Sequence, residues 1–167
     1  SLQVMNLSDA AARSIDANVL LVRAGAMYHD IGKTENPQCF VENEGVGAKY
    51  HDGLTPLESA KMIINHVTDG MRLAEKYNLP TIISDFIITH HGTSCAAYFY
   101  NKYIQEGGDP ANADEFFYKG KKPWTKEQTI LMICDSIEAA SRTLKDTSPE
   151  TFDKFVESIV ASKINAG

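Results

Sequence analysis

The chain has 167 residues, 43% apolar and 23% charged, with a net charge of −6, a length and composition that suit one domain with a real hydrophobic core. It contains no run of about 18 apolar residues, the length a membrane-spanning helix needs, no charged-then-apolar stretch resembling a signal peptide, and no long basic stripe of the kind that binds a nucleic-acid polymer. Its three cysteines, Cys39, Cys95 and Cys134, lack CxxC spacing, which points to reduced thiols in a cytosolic setting and away from a cysteine zinc site.

The pattern along the chain is helical almost throughout. Apolar positions at helical spacing predict helices over 2–16 and 18–31, the second ending at Gly32 and the stretch Thr34 to Pro37. His29 and Asp30 then fall on its last turn. A polar, glycine-containing loop is expected up to Thr55. There Thr55-Pro56-Leu57-Glu58 supplies an N-cap, a proline at the first helical position and a capping-box glutamate. The helix it opens should reach about Tyr77, with His66 near its middle. Pro80 starts another through Phe86 and Ile87 to His90-His91-Gly92, and an aromatic-rich helix is predicted over 93–106. Residues 107–124 read as a loop with a short helical turn near 112–117. Thr125 to Gln128 form a second capping box, opening a helix to about Leu144 that contains Asp135, and Ser148-Pro149-Glu150 caps a last helix to about Ile164. The expectation is a single all-α domain, a bundle of about six to eight helices.

Imidazole nitrogens and carboxylate oxygens hold iron, manganese or zinc, and this chain spreads them over four helix positions: His29-Asp30, His66, His90-His91 and Asp135. Each alone has a plain reading. A His-Asp dipeptide is common, and the second one, His51-Asp52, reads as a local turn or capping pair. A histidine in an amphipathic helix is more often packed than ligating. Asp135 resists the plain reading, because it ends the apolar turn Leu131-Met132-Ile133-Cys134 and a core-facing carboxylate needs a cation or donors. Two adjacent imidazoles cannot share a helix face, but at a helix end both can turn toward one ion. A bundle can bring four such positions to one point. The zinc-protease HExxH pattern, a nucleophile elbow and a phosphate-binding glycine loop are all missing. Lys119, Lys121, Lys122 and Lys126 form the one dense cationic cluster, read as a solvated loop in preference to a phosphate site.

The order HD…H…HH…D resembles the HD-domain metal-dependent phosphohydrolases. More narrowly, the chain is similar to the cytosolic HD domain of seven-transmembrane receptor phosphodiesterases that hydrolyse cyclic di-AMP. The stretches that carry the likeness are Arg23 to Lys33, His51 to Pro56, His66 to Gly70, Asp85-Phe86-Ile87 with His90-His91-Gly92-Thr93, Tyr98-Phe99-Tyr100, and Ile130 to Arg142. The resemblance implies an HD bundle around a dinuclear site with two divalent metals, iron or manganese, zinc being an alternative. In it His29, Asp30 and Asp135 hold one ion and His66, His90 and His91 the other, with Asp30 bridging. It further implies a metal-bridged hydroxide that attacks a cyclic dinucleotide, cyclic di-AMP foremost, to give pApA. Asp30 and Lys33 are the residues assigned to catalysis. Lys33, Thr93, Arg142 and Lys122 are candidates for substrate contact, a structural salt bridge being at least as good a reading for Arg142. Asp69 is balanced between orienting His66 or the attacking water and a cap before Gly70. The aromatic trio at 98–100 is read as core packing in preference to base stacking.

The resemblance also implies one more ligand histidine immediately upstream of Ser1. The chain is therefore expected to be a domain excised from a larger membrane protein, lying on the cytosolic side of a transmembrane portion upstream, and to bind its first metal weakly by itself. Ala48-Lys49-Tyr50 and the segment Phe116 to Pro123 depart from the family's pattern in loops that could touch substrate. The alternatives carried forward are another HD nucleotide phosphohydrolase, acting on cyclic di-GMP or a nucleoside phosphate, and a catalytically silent nucleotide-sensing domain. Gly92-Thr93-Ser94, where cyclic di-GMP enzymes usually carry GYP, weighs against the first of these.

Overall fold

Thr55 opens the longest helix as its sequence predicts. Its hydroxyl accepts from the Glu58 backbone N–H while the Glu58 carboxylate accepts from the Thr55 N–H at 2.8 Å, so two of the helix's orphan donors are satisfied reciprocally. The computed structural model describes residues 2–40 and 46–166; Ser1, Gly167 and residues 41–45 of the loop expected before Thr55 lie outside the described residues. Within them run α1 (Leu2–Ser14), α2 (Val19–Tyr28), α3 (Val46–His51), α4 (Pro56–Lys76), α5 (Thr81–Thr89), α6 (Ala97–Gln105), α7 (Lys126–Ser141) and α8 (Pro149–Ala166). No strand occurs among the described residues, and the all-α expectation holds with eight α-helices. None of the described helices is long and apolar enough to cross a membrane.

Three departures from the sequence reading have identifiable causes. The stretch before Thr55 is not a plain loop: it holds two 3₁₀ turns, Ile31–Glu35 and Pro37–Cys39, and then α3. His51, at the end of α3, opens the turn expected there, its carbonyl accepting from the Leu54 N–H at 3.1 Å, and it also reaches back along the chain. Its Nε2 donates to the Cys39 carbonyl at 2.8 Å, tying α3 to the preceding turn. The helix expected from residue 93 starts at Ala97, because Cys95 pairs with Phe117 as an isolated antiparallel bridge and the Ala96 N–H is taken by the Phe116 carbonyl. The second capping box is half made. Thr125 accepts from the Gln128 N–H, but the Gln128 side chain turns to the Trp124 N–H instead of returning to Thr125.

The core lies where α1, α2, α5 and α7 meet. Val4 and Ala12 from α1, Val22 and Ala26 from α2, Phe86 from α5, and Ile130, Leu131 and Cys134 from α7 form one buried cluster. These positions recur at helical spacing on each element, which is why the four pack as amphipathic faces. Helix α4 closes the bundle through the first 3₁₀ turn. That contact is backbone on backbone: a Cβ on Gly32 would run into the His66 carbonyl and lie 2.5 Å from the Gly70 nitrogen. Only a residue without a side chain lets the turn after Asp30 sit this close to the turn of α4 that carries His66.

Gly32→Ala is therefore expected to destabilise the protein by about 3 kcal/mol or more, since the opposing atoms are backbone and cannot swing aside. Thermal unfolding followed by circular dichroism should show a fall in Tm on the order of 10 °C. An unchanged Tm would mean the turn and α4 can separate freely.

Candidate metal centre

Each of three histidines is oriented by its own helix. His29 Nδ1 lies 2.9 Å from the Ala26 carbonyl, His66 Nδ1 2.6 Å from that of Ile63, and His90 Nδ1 2.8 Å from that of Ile87. A carbonyl can only accept, so each Nδ1 carries a proton, and in the neutral ring each Nε2 presents a lone pair. All three rings are almost wholly buried. His91 follows His90 at the end of α5, where Gly92 takes a left-handed φ of +55° that turns the chain back. Its ring stacks on Tyr118, with centroids 4.2 Å apart.

The lone pairs converge. His66 Nε2 and His90 Nε2 are 3.1 Å apart, a separation at which two lone pairs repel unless a cation or proton lies between them. Asp30 divides its two oxygens. Oδ1 is 3.4 Å from His66 Nε2 and 3.5 Å from His90 Nε2, while Oδ2 is 3.2 Å from His29 Nε2 and 2.7 Å from Lys33 Nζ. Asp135 Oδ1, reaching in from α7, lies 3.4 Å from His29 Nε2. Donors about 2.1 Å from one ion are separated by about 3.0 to 3.4 Å at octahedral to tetrahedral angles, and these distances fall in or just beyond that range. The described residues thus contain two groups able to hold a metal, His29 with Asp30 and Asp135, and His66 with His90 and His91. His29 Nε2 and Asp30 Oδ1 are buried without a hydrogen-bond partner. Such orphaned atoms are costly alone, and a bound divalent ion would satisfy them, so the donor set fits the group.

The electrostatics carry the same tension. Burial disfavours a charge on His29, but Asp30 and Asp135 overcome it and hold this imidazole up at about 10. Burial and the neighbouring His90 push His66 down to about 4, and burial with His90 lowers His91 further. Burial alone would raise both carboxyls. His29, with His90 and Lys33, keeps Asp30 well below the usual carboxylate range, and His29 with His91 does so for Asp135.

Of the other residues singled out from sequence, Thr93 and Lys122 line a pocket of about 310 Å³ beside His91. Arg142 lies outside that lining, its guanidinium paired with Glu138 at 2.7 Å. Asp69 neither orients His66 nor caps: it accepts from Asn65 and pairs with Arg72. In the aromatic trio Tyr100 packs on Phe116 and Phe99 on His51, whereas Tyr98 is 72% exposed. Sequence reasoning missed Tyr118, which backs His91, and Phe40, whose ring meets His66 edge-on with centroids 5.7 Å apart. Nothing in their local sequence context marks either.

A family model described as the HD domain matches residues 1–140. The chain belongs to the HD-domain family. This HD domain is 43% identical over all 167 residues to the cyclic-di-AMP phosphodiesterase PgpH of Bacillus subtilis (strain 168), and 41% identical to the protein of that name from Listeria monocytogenes serotype 1/2a (strain 10403S). It spans 23% of the length of each, so the match concerns one part of a longer protein. The crystal structure of the L. monocytogenes PgpH HD domain in complex with cyclic-di-AMP superposes with a TM-score of 0.92 at 39% identity, covering 99% of this chain and 77% of that one. Membership of the HD family implies divalent-metal binding, in keeping with the two donor groups.

The shifts set a pH optimum for the metal-free HD domain. His66 is depressed from 6.5 to about 4, so its contribution is lost as pH falls from 6.5 toward 4 and the unfolded chain binds the proton first. His29 is raised from 6.5 to about 10, so its contribution is complete below 6.5 and lost as pH rises toward 10. The Tm of the metal-free protein should therefore peak near pH 6.5, and His29→Gln should flatten the alkaline limb. Adding Mn²⁺ should raise Tm most on that limb, where the cation no longer competes with the His29 proton. Differential scanning calorimetry between pH 4 and 10 reads all three.

Proposed function

We propose that this HD domain is a dinuclear-metal phosphodiesterase that opens cyclic di-AMP to linear pApA. The observation that carries the reading is the division of Asp30 between two buried donor groups, with a pocket directly against one of them. The likeness to the two PgpH proteins and to an HD domain crystallised with cyclic-di-AMP supports the substrate. The nitrogen-rich donor set with one shared carboxylate supports iron or manganese, zinc being the alternative. His29, Asp30 and Asp135 would hold one ion, and His66, His90 and His91 the other, with Asp30 common to both.

Bound there, two divalent ions would polarise the phosphate and lower the pKa of the attacking water. In the reaction water adds to phosphorus, the bond to the 3′ oxygen breaks, and that oxygen leaves with a proton. The chain's own residues prepare this step. The Nδ1 bonds of His29, His66 and His90 to their helix carbonyls fix the imidazole tautomer and orientation. Lys33, 2.7 Å from Asp30 Oδ2 and with its ammonium 5.2 Å from the centre of the Phe40 ring, holds the shared carboxylate ionised and in place. Thr93 and Lys122 face the pocket where a phosphate would enter, and Arg142, paired with Glu138 at the C-cap of α7, is a further candidate for contact. The parent protein is read as membrane-bound, with this domain on the cytosolic side.

The test is hydrolysis of cyclic di-AMP followed by chromatography with Mn²⁺ or Fe²⁺, using residues 1–167 both alone and with a histidine added before Ser1. The expected product is pApA. Asp30→Ala should reduce turnover to background, and Lys33→Ala should lower kcat by about tenfold to a hundredfold, as loss of a supporting partner around a metal site does. Two bound metals without turnover by the extended form would sink the reading in favour of a silent sensor. Preference for cyclic di-GMP would replace only the substrate.

A further inference from the structure

Helix α8 lies beyond residues 1–140 that match the HD family, and it packs on the body chiefly through α7. It buries no residue completely. Yet it forms one wall of the pocket beside the metal centre. From the body come His91, Thr93, Phe117, Lys122 and Met132, and from α8 comes Lys163.

The cations around this pocket are used differently. Lys122 Nζ donates to the Ala166 carbonyl at 3.1 Å and so pins the end of α8. Lys163 is half-buried, but among the described residues its ammonium makes no hydrogen bond and no ion pair. A partly desolvated charge without a partner is unfavourable, and burial lowers the pKa of this lysine, against the opposing field of Asp135. If Asp135 neutralises a divalent ion, as the proposed function has it, that field is spent and Lys163 faces the pocket with its charge unanswered. An anion in the pocket is the partner that would answer it.

We propose that Lys163 binds a phosphate of the substrate in the pocket against His91, making α8 a part of the substrate site. This rests on the phosphodiesterase reading and adds to it a residue from outside the segment that matches the HD family. The pocket is at the small end for ligand sites, which suits one nucleotide half placed between the metal centre and α8. A charge-assisted contact of this kind changes affinity by about tenfold or more, and it weakens as salt screens it.

The experiment measures binding of cyclic di-AMP and of adenosine 5′-monophosphate by isothermal titration calorimetry, in the Mn²⁺-loaded protein and in Lys163→Met and Lys163→Arg. Lys163→Met keeps the stem that packs on the pocket wall and removes the charge. It should bind both nucleotides about tenfold more weakly, with a shallower salt dependence, while the rise in Tm on adding Mn²⁺ stays as in the wild type. Lys163→Arg should restore most of the affinity. Unchanged affinity in Lys163→Met overturns the proposal, and so does a loss of affinity accompanied by loss of the Mn²⁺-induced rise in Tm, since the lysine would then serve the fold of the metal centre. A wild type that binds adenosine monophosphate through Lys163 but never cleaves cyclic di-AMP refutes the phosphodiesterase reading and reduces this assignment to a nucleotide-phosphate contact without a substrate role. Cleavage that is indifferent to Lys163 does the reverse.

Discussion

The Asp30 carboxylate is the constraint around which the molecule is arranged. One oxygen faces imidazoles from α4 and α5, and the other faces His29 and Lys33. Satisfying both at once requires the C-terminal ends of α2 and α5 to meet the middle of α4, with α7 bringing Asp135 to the same nitrogen of His29 that Asp30 approaches. The backbone contact between Gly32 and α4 is the steric counterpart of that demand, because any side chain there would hold the two halves of the site apart. The hydrophobic cluster of α1, α2, α5 and α7 supplies the favourable burial. It does so beside a knot of buried imidazoles whose neighbours repel one another until a cation is shared.

Local chemistry explains which parts of this were legible from sequence. Thr55 to Glu58 contains its whole instruction within four residues, and the helix it opens starts where expected. The helical periods of α1, α2, α4, α5 and α7 were equally plain, since each is a long amphipathic segment with one face in the core. The late start of α6 was not, because it depends on Cys95 meeting Phe117 across some twenty residues of intervening chain. Gln128 shows the same limit on a smaller scale: its spacing from Thr125 promises a reciprocal cap, but the Trp124 N–H competes for the side chain. The turns before α3 were hidden for a related reason, as His51 is held by the Cys39 carbonyl and not by its own neighbours.

At the site, residue type carried most of the information. A carboxylate inside an apolar turn at Asp135 and paired imidazoles at a helix end are costly placements, so the sequence advertised them before any geometry was known. Residues that act by shape left no such mark. Tyr118 and Phe40 are ordinary aromatics by composition, and only the packed structure sets them against His91 and His66. Lys163 is likewise one of two lysines on a surface helix, distinguished by what surrounds it and not by its neighbours in the chain.

The two donor groups close very different lengths of chain. His66 and His90 are 24 residues apart, on consecutive helices joined by a tight turn. His29 and Asp135 are separated by about a hundred residues, and loop-closure entropy grows with the logarithm of that span. An ion shared by His66, His90 and His91 would reinforce a hairpin that already holds itself together. One shared by His29, Asp30 and Asp135 would act as a staple across the body of the domain, tying α2 to α7 in the manner of a long-range cross-link. Occupancy of the two positions would then be felt unequally: the first as chemistry beside the pocket, the second also as mechanical closure of the whole bundle.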